Sequence, residues 1–175
     1  MHPMTTPKDL SISLRNYMEA DGPSLVDILN SGRGLLLGRI GLANQHGWAA
    51  MRSEMAAEQA IVAEKNLKSY LVGYVGIFNH SVAARRAELM FFCIGPDASR
   101  SIPDRKTLDS TLTWCFNALG LNKVSIEVID GNGILGILES AGFVAEGVRK
   151  SQYQIGQNRV DSVVLSLIAS AWRSA

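Results

Sequence analysis

Apolar and polar residues alternate over residues 10–15 (LSISLR), the period of a half-buried strand. Asp21-Gly22-Pro23 then predicts a helix start, with Asp21 as N-cap and Leu25, Val26, Ile28 and Leu29 as the apolar face before Ser31-Gly32. Residues 34–47 are interrupted by glycines and carry no clear period. The Ala, Met and Glu content of residues 48–58 favours a second helix. The period changes again at residues 60–63 and 70–78, two β-rich runs separated by polar residues 64–69 in the manner of a hairpin. Residues 87–94 (AELMFFCI) are apolar on both faces beyond Glu88, which predicts a central strand covered on each side. A helix over residues 104–119, with Leu108, Leu112, Cys115, Phe116 and Leu119 on one stripe, ends at Gly120. A strand over residues 124–129, the turn Asp130-Gly131-Asn132-Gly133, a short helix ending at Gly142, and closing strands over residues 144–154 and 159–168 complete the order βααβββαβαββ. The predicted class is α+β.

Composition narrows the picture without redirecting it. The 175 residues are 47% hydrophobic and 19% charged, which suits a single folded domain preceded by a polar tail of about ten residues. A chain of this length buries enough surface to need neither disulfide nor metal, so Cys93 and Cys115, both in apolar runs, read as buried free thiols in a reducing, cytoplasmic setting. Seventeen basic residues against sixteen acidic ones give a net charge of +1 and no clustered basic face, which argues against nucleic acid as a partner. No apolar run reaches the roughly 18 residues of a membrane span. The isolated His46 and His80 suggest no metal site.

The segments LGLNKVSIEVIDGN, ESAGFVAEGV and YQIGQNRVDSVVLSL stand in this order near the C-terminus. Together with the predicted elements they resemble the GNAT superfamily of acyl-coenzyme A dependent N-acetyltransferases, and within it the branch acting on ribosomal-protein N-termini and nucleotide-linked amino sugars. The resemblance implies a mixed central sheet of about seven strands with helices on both faces. It implies acetyl-CoA as acyl donor and a primary amine of a small molecule, amino sugar or protein N-terminus as acceptor. The backbone of Phe92, Cys93 and Ile94 would meet the pantetheine arm and the reacting oxygen. Ser99, Arg100, Ser101 and Asp104 would lie in the pyrophosphate loop, and Asn132 would reach the pantetheine. Glu88 corresponds to the acidic residue that serves as base, set against a plain surface carboxylate. Dimerisation is common among relatives, and the apolar VDSVVLSL edge would let two copies form a homodimer through the closing strands.

Two departures bear on function. Family members cradle the pyrophosphate with G-x-G, whereas Arg100 and Ile102 stand at the two glycine positions and Pro103, which lacks an N–H, follows. Three outcomes stay open: phosphate held by the charge of Arg100, Arg105 and Lys106; an acyl group carried differently, as on a carrier protein; or loss of cofactor binding. The family's tyrosine acid maps to Leu138, leaving Tyr153 on the next strand as a substitute acid. A non-catalytic ligand-binding or assembly module is therefore the competing expectation.

Overall fold

The computed structural model describes residues 11–30, 45–65, 68–93, 105–129, 134–155 and 157–173. Strand β1 (Ser11–Asn16) leads through a 3-10 turn (Glu19–Asp21) into helices α1 (Gly22–Asn30) and α2 (Gln45–Arg52). Strands β2 (Ala57–Lys65), β3 (Lys68–Ser81) and β4 (Arg86–Cys93) follow as an antiparallel meander. Helix α3 (Arg105–Thr113) winds on as a π turn (Trp114–Ala118) before β5 (Lys123–Ile129), α4 (Leu135–Ser140), β6 (Val144–Ile155), β7 (Asn158–Ile168) and α5 (Ala169–Arg173).

All seven strands form one sheet in the order β1-β2-β3-β4-β5-β7-β6. Every neighbouring pair is antiparallel except β4 and β5. The double-sided apolar run of β4 explains its central place. Ala87, Leu89, Phe91 and Cys93 enter a core shared with Leu108, Leu112 and Phe116 of the α3 side. Met90 and Phe92 enter a second core with Leu25, Val26, Ile28 and Trp48 of α1 and α2. Helices on both faces keep water from the middle of the sheet, and the predicted α+β layering holds.

The register of β4 against β3 is fixed at its far end by a glycine. A Cβ built on Gly73 would sit 2.5 Å from the Cβ of Cys93, so no larger residue fits without moving β4. Gly142 takes a φ of +95° where α4 ends, as the helix stop at that position requires.

Three local expectations are corrected. The second helix ends at Arg52 rather than reaching residue 58. The Ala56 N–H bonds the Ile77 carbonyl, so strand pairing captures residues whose helix propensity is good but weak beside it. Asp21 does not cap α1; its carboxylate takes two 2.7 Å bonds from Arg15 and one from the Met18 N–H. The hairpin between β2 and β3 is longer than expected, with the ladder running to Lys65 opposite Lys68. The short α5 was not anticipated from sequence.

Candidate active site

The feature that sets the site is where β4 and β5 part. They pair in parallel over three positions, Arg86 with Lys123, Ala87 with Val124 and Glu88 with Ser125. Beyond that, β4 continues to Cys93, held by β3, and β5 continues to Ile129, held by β7. Leu89–Cys93 spans roughly 17 Å at about 3.3 Å per residue, and along it the backbone edge turned toward β5 has left the ladder. A strand edge released in this way is a template for an extended, amide-bearing ligand.

Glu88 stands at the vertex of the opening, opposite Ser125. It is half-buried, and its Oε1 accepts a 2.9 Å hydrogen bond from Asn79 Nδ2. A polar notch of about 100 Å³ is lined by Asn79, Arg86, Ala87, Glu88 and Ser125. Glu88 lies on the same sheet face as Met90 and Phe92, the face that α1 and α2 cover over β3 and β4.

The sheet face continuing from Ser125 across β7 to β6 is polar. Glu127 accepts from Ser162 Oγ and from Arg149 Nη1 at 2.7 Å. Glu146 accepts from Lys123 Nζ and from Ser166 Oγ at 2.7 Å, and the bond from Lys123, more than that from Ser166, holds its carboxyl below the usual carboxylate range. Sequence reasoning missed this surface. The signal was present in the alternation KVSIEVI, whose Ser125 and Glu127 share one face, and in the matching spacing of Ser162 and Ser166.

The sequence-derived candidates divide into three groups. Phe92 and Cys93 lie on the released stretch of β4, but their side chains serve the two cores, so only their backbone is available to a ligand. Phe92 stacks on Tyr74 with centroids 5.8 Å apart and meets Trp48 edge-on at 6.0 Å. Ile94, Ser99, Arg100, Ser101, Asp104 and Asn132 lie outside the described residues. Tyr153 is not brought to Glu88: it pairs with Val160, six residues along β7 from Ser166, the residue facing Ser125, and β6 is three strands from β4. Along the ladder alone that is roughly 20 Å.

Two further positions are clear. Arg105 does not point free toward an anion, since its Nε bonds Asp109 at 2.8 Å and its Nη1 bonds the Ser140 carbonyl at 2.7 Å, stapling α3 to α4. Leu138, where the family's tyrosine would stand, is 1% exposed in the α3-side core. Cys115 is buried in the same core, and burial pushes its thiol up to about 12, a range that removes it from nucleophilic chemistry at neutral pH.

A central sheet split between β4 and β5, with α1 and α2 on one face and α3 and α4 on the other, is the GNAT fold. The chain is similar over nearly its whole length to solved structures of the spermidine N-acetyltransferase SpeG from Vibrio cholerae. A structure of that protein in complex with CoA and spermine aligns with 19% identity over 93% of this chain and 98% of the other, at a TM-score of 0.74. A dodecameric structure of it in an intermediate state aligns with 20% identity over 94% and 98%, at a TM-score of 0.73. No model of a protein family matches the chain, and no curated protein matches it in sequence.

Proposed function

We propose that this protein is an N-acyltransferase that moves an acetyl group from acetyl-CoA to a primary amine by direct attack in a ternary complex. The observation that supports the reading is the parting of β4 and β5 after Glu88 and Ser125, since an acyl group threaded between the strands would end beside the Glu88 carboxylate. The released edge of Leu89–Cys93 suits the amide groups of pantetheine. The donor supplies an activated acyl carbonyl. The chain's own part is to bind the donor along β4, to present the amine beside the notch, and to take its proton.

An amine is protonated at neutral pH and must lose a proton before its nitrogen forms a bond to the acyl carbon. Glu88 takes that proton before attack; as the C–N bond forms and the C–S bond breaks, a second proton leaves the acylated nitrogen and neutralises the departing thiolate, so that CoA leaves as the thiol. The acceptor is a primary amine of a small molecule, an amino sugar or a protein N-terminus. The CoA and spermine held by the similar Vibrio protein support an amine acceptor and make spermidine the first compound to try. The dodecamer of that same protein and the exposed Val144 support assembly of several copies; the VDSVVLSL run is not an edge, since β7 lies between β5 and β6, so a homodimer through this end of the sheet would form along β6.

A second reading, a GNAT-fold module without catalysis, is favoured by two observations. Leu138 fills the core where a proton-donating tyrosine would stand, and Ile102 and Pro103 replace the expected phosphate-binding backbone in sequence. The two readings part in one assay: acetyl-CoA with spermidine, glucosamine or a short unblocked peptide, followed by release of the CoA thiol. The enzyme reading expects amine-dependent release above the hydrolytic background with at least one of the three. Release no faster than background, across all three and with propionyl-CoA as well, supports the module.

A further inference from the structure

We infer that Asn79 is a positioning residue that fixes the carboxylate of Glu88, an inference resting on the reading of Glu88 as proton acceptor. Phe78 lies opposite Glu88 and Ser81 opposite Arg86, so Asn79 and His80 together face the single residue Ala87. This is a bulge, with two residues on one strand answering one on its partner. Side chains alternate between faces on a regular strand, so Asn79 would point away from the face shared by Phe78 and Glu88. Instead its backbone takes the left-handed conformation, φ +48°, and its amide donates to Glu88 Oε1 at 2.9 Å. The bulge has turned the side chain back to the face of the notch.

Left-handed backbone is costly for most side chains and least so, after glycine, for asparagine and aspartate. Such conformations persist where surrounding structure over-determines them, and they gather at sites that do chemistry. The consequence is specific to Glu88. A glutamate at the mouth of a notch has three side-chain torsions to order, and an amide on one carboxylate oxygen orders them while leaving the other oxygen for the proton. The charged groups around this carboxylate are few among the described residues: Arg86 lines the same notch, and Lys123 pairs beside Arg86 on β5. Neither gives the directional fix that the amide supplies.

The test compares Asn79→Asp and Asn79→Gly, both compatible with left-handed backbone and both lacking the amide donor, in the native chain and in Glu88→Gln. With acetyl-CoA and the amine that the thiol-release assay selects, each Asn79 variant should lower kcat roughly 10- to 100-fold, the scale of a misplaced catalytic group, with KM for acetyl-CoA changed less than twofold. Neither should lower kcat further in the Glu88→Gln background. Full kcat in Asn79→Asp, or an equal loss in both backgrounds, overturns the positioning role. Full kcat in Glu88→Gln itself instead overturns the reading of Glu88 as base. The side-chain amide resonance of Asn79 in ¹⁵N–¹H spectra gives a readout independent of turnover: it should move in Glu88→Ala, and an unmoved resonance overturns the inference.

Discussion

Replacing Glu88 with glutamine is expected to lower kcat for acetyl transfer about 100-fold or more at neutral pH, while acetyl-CoA binds the variant as it binds the native chain. The isosteric amide keeps the shape of the notch and can still accept the hydrogen bond from Asn79, so packing is spared. Only the ability to take a proton is lost. General base catalysis contributes roughly 10²- to 10⁴-fold, and a 100-fold loss corresponds to about 2.7 kcal/mol of activation free energy. Two measurements check this: single-turnover transfer followed by thiol release, and acetyl-CoA affinity of the variant. Because a more basic solution supplies neutral amine without help, the deficit should shrink as pH rises. Unchanged rates at neutral pH would remove Glu88 from the mechanism and return it to the role of a paired strand-end carboxylate.

The second large effect concerns stability. Arg52, at the end of α2, donates through Nε to Glu58 Oε2 at 2.8 Å and through Nη1 to Glu19 at 2.8 Å. Its guanidinium also lies 3.6 Å from the centroid of the Tyr17 ring. Glu58 receives a further 2.7 Å bond from the hydroxyl of Tyr74, a fully buried ring at the centre of the aromatic cluster under α2. Burial acts to raise the Glu58 carboxyl, but the bonds from Arg52 and Tyr74 outweigh it and leave it lowered. Burial, reinforced by the bond to Glu58, pushes the Tyr74 phenol far up, so it stays a donor.

Arg52→Ala leaves Glu58 partly buried without its cation. Fully buried pairs broken this way cost about 3 to 5 kcal/mol, and with 18% and 23% of the two side chains exposed the loss here should be about 2 to 3 kcal/mol. On a domain of this size that is a fall of roughly 5–10 °C in Tm. The pH dependence follows from the sign of the shift. A lowered folded-state carboxyl contributes stability that is fully present above the ordinary carboxylate value and lost as pH falls below it through the lowered folded-state value. In the variant burial acts on Glu58 with less opposition, so its charge costs stability at neutral pH and protonation relieves that cost. The gap between native and variant Tm should therefore be widest near pH 7 and narrow on acidification toward pH 4. A gap that is constant with pH would assign Arg52 a packing role alone.

Much of the fold is legible in the chain because the elements carry their own periods. The alternation of residues 10–15, the two-sided run at 87–94 and the Leu108-Leu112-Cys115-Phe116 stripe each report one kind of burial, and each element stands within a residue or so of its expected place. What failed was decided between elements. The helix expected to reach residue 58 loses its last turns because Ala56 bonds across to Ile77, a contact no local propensity encodes. Arg52 and Glu58, six apart in sequence, meet only because a turn intervenes between α2 and β2.

The site is less legible than the fold for the same reason. Glu88 could be singled out as the one charge in an apolar strand, but that it stands at a vertex depends on where β5 stops following β4. Asn79 carries no signal at all, since regular alternation would turn it to the other face, and only the bulge opposite Ala87 brings it back. Tyr153 pairs with Val160, several residues along the ladder from Glu88, a separation set by the strand register and not readable from its place in sequence. Of the residues expected to hold phosphate by charge, Arg100 lies outside the described part of the chain, whereas Arg105 is tied to Asp109 and to the Ser140 carbonyl, pairings that its place in sequence does not announce.

Acyl-CoA is expected to bind along the released edge of β4. Amide hydrogen exchange, read by mass spectrometry with and without millimolar acetyl-CoA, tests it most directly. A ligand present at 100 times its dissociation constant adds about 2.7 kcal/mol to the opening free energy of the amides it protects. Slowed exchange is expected in peptides covering Leu89–Cys93, with an unchanged rate in β1 at the far edge of the sheet. Exchange in β4 that is the same with and without acetyl-CoA would contradict it.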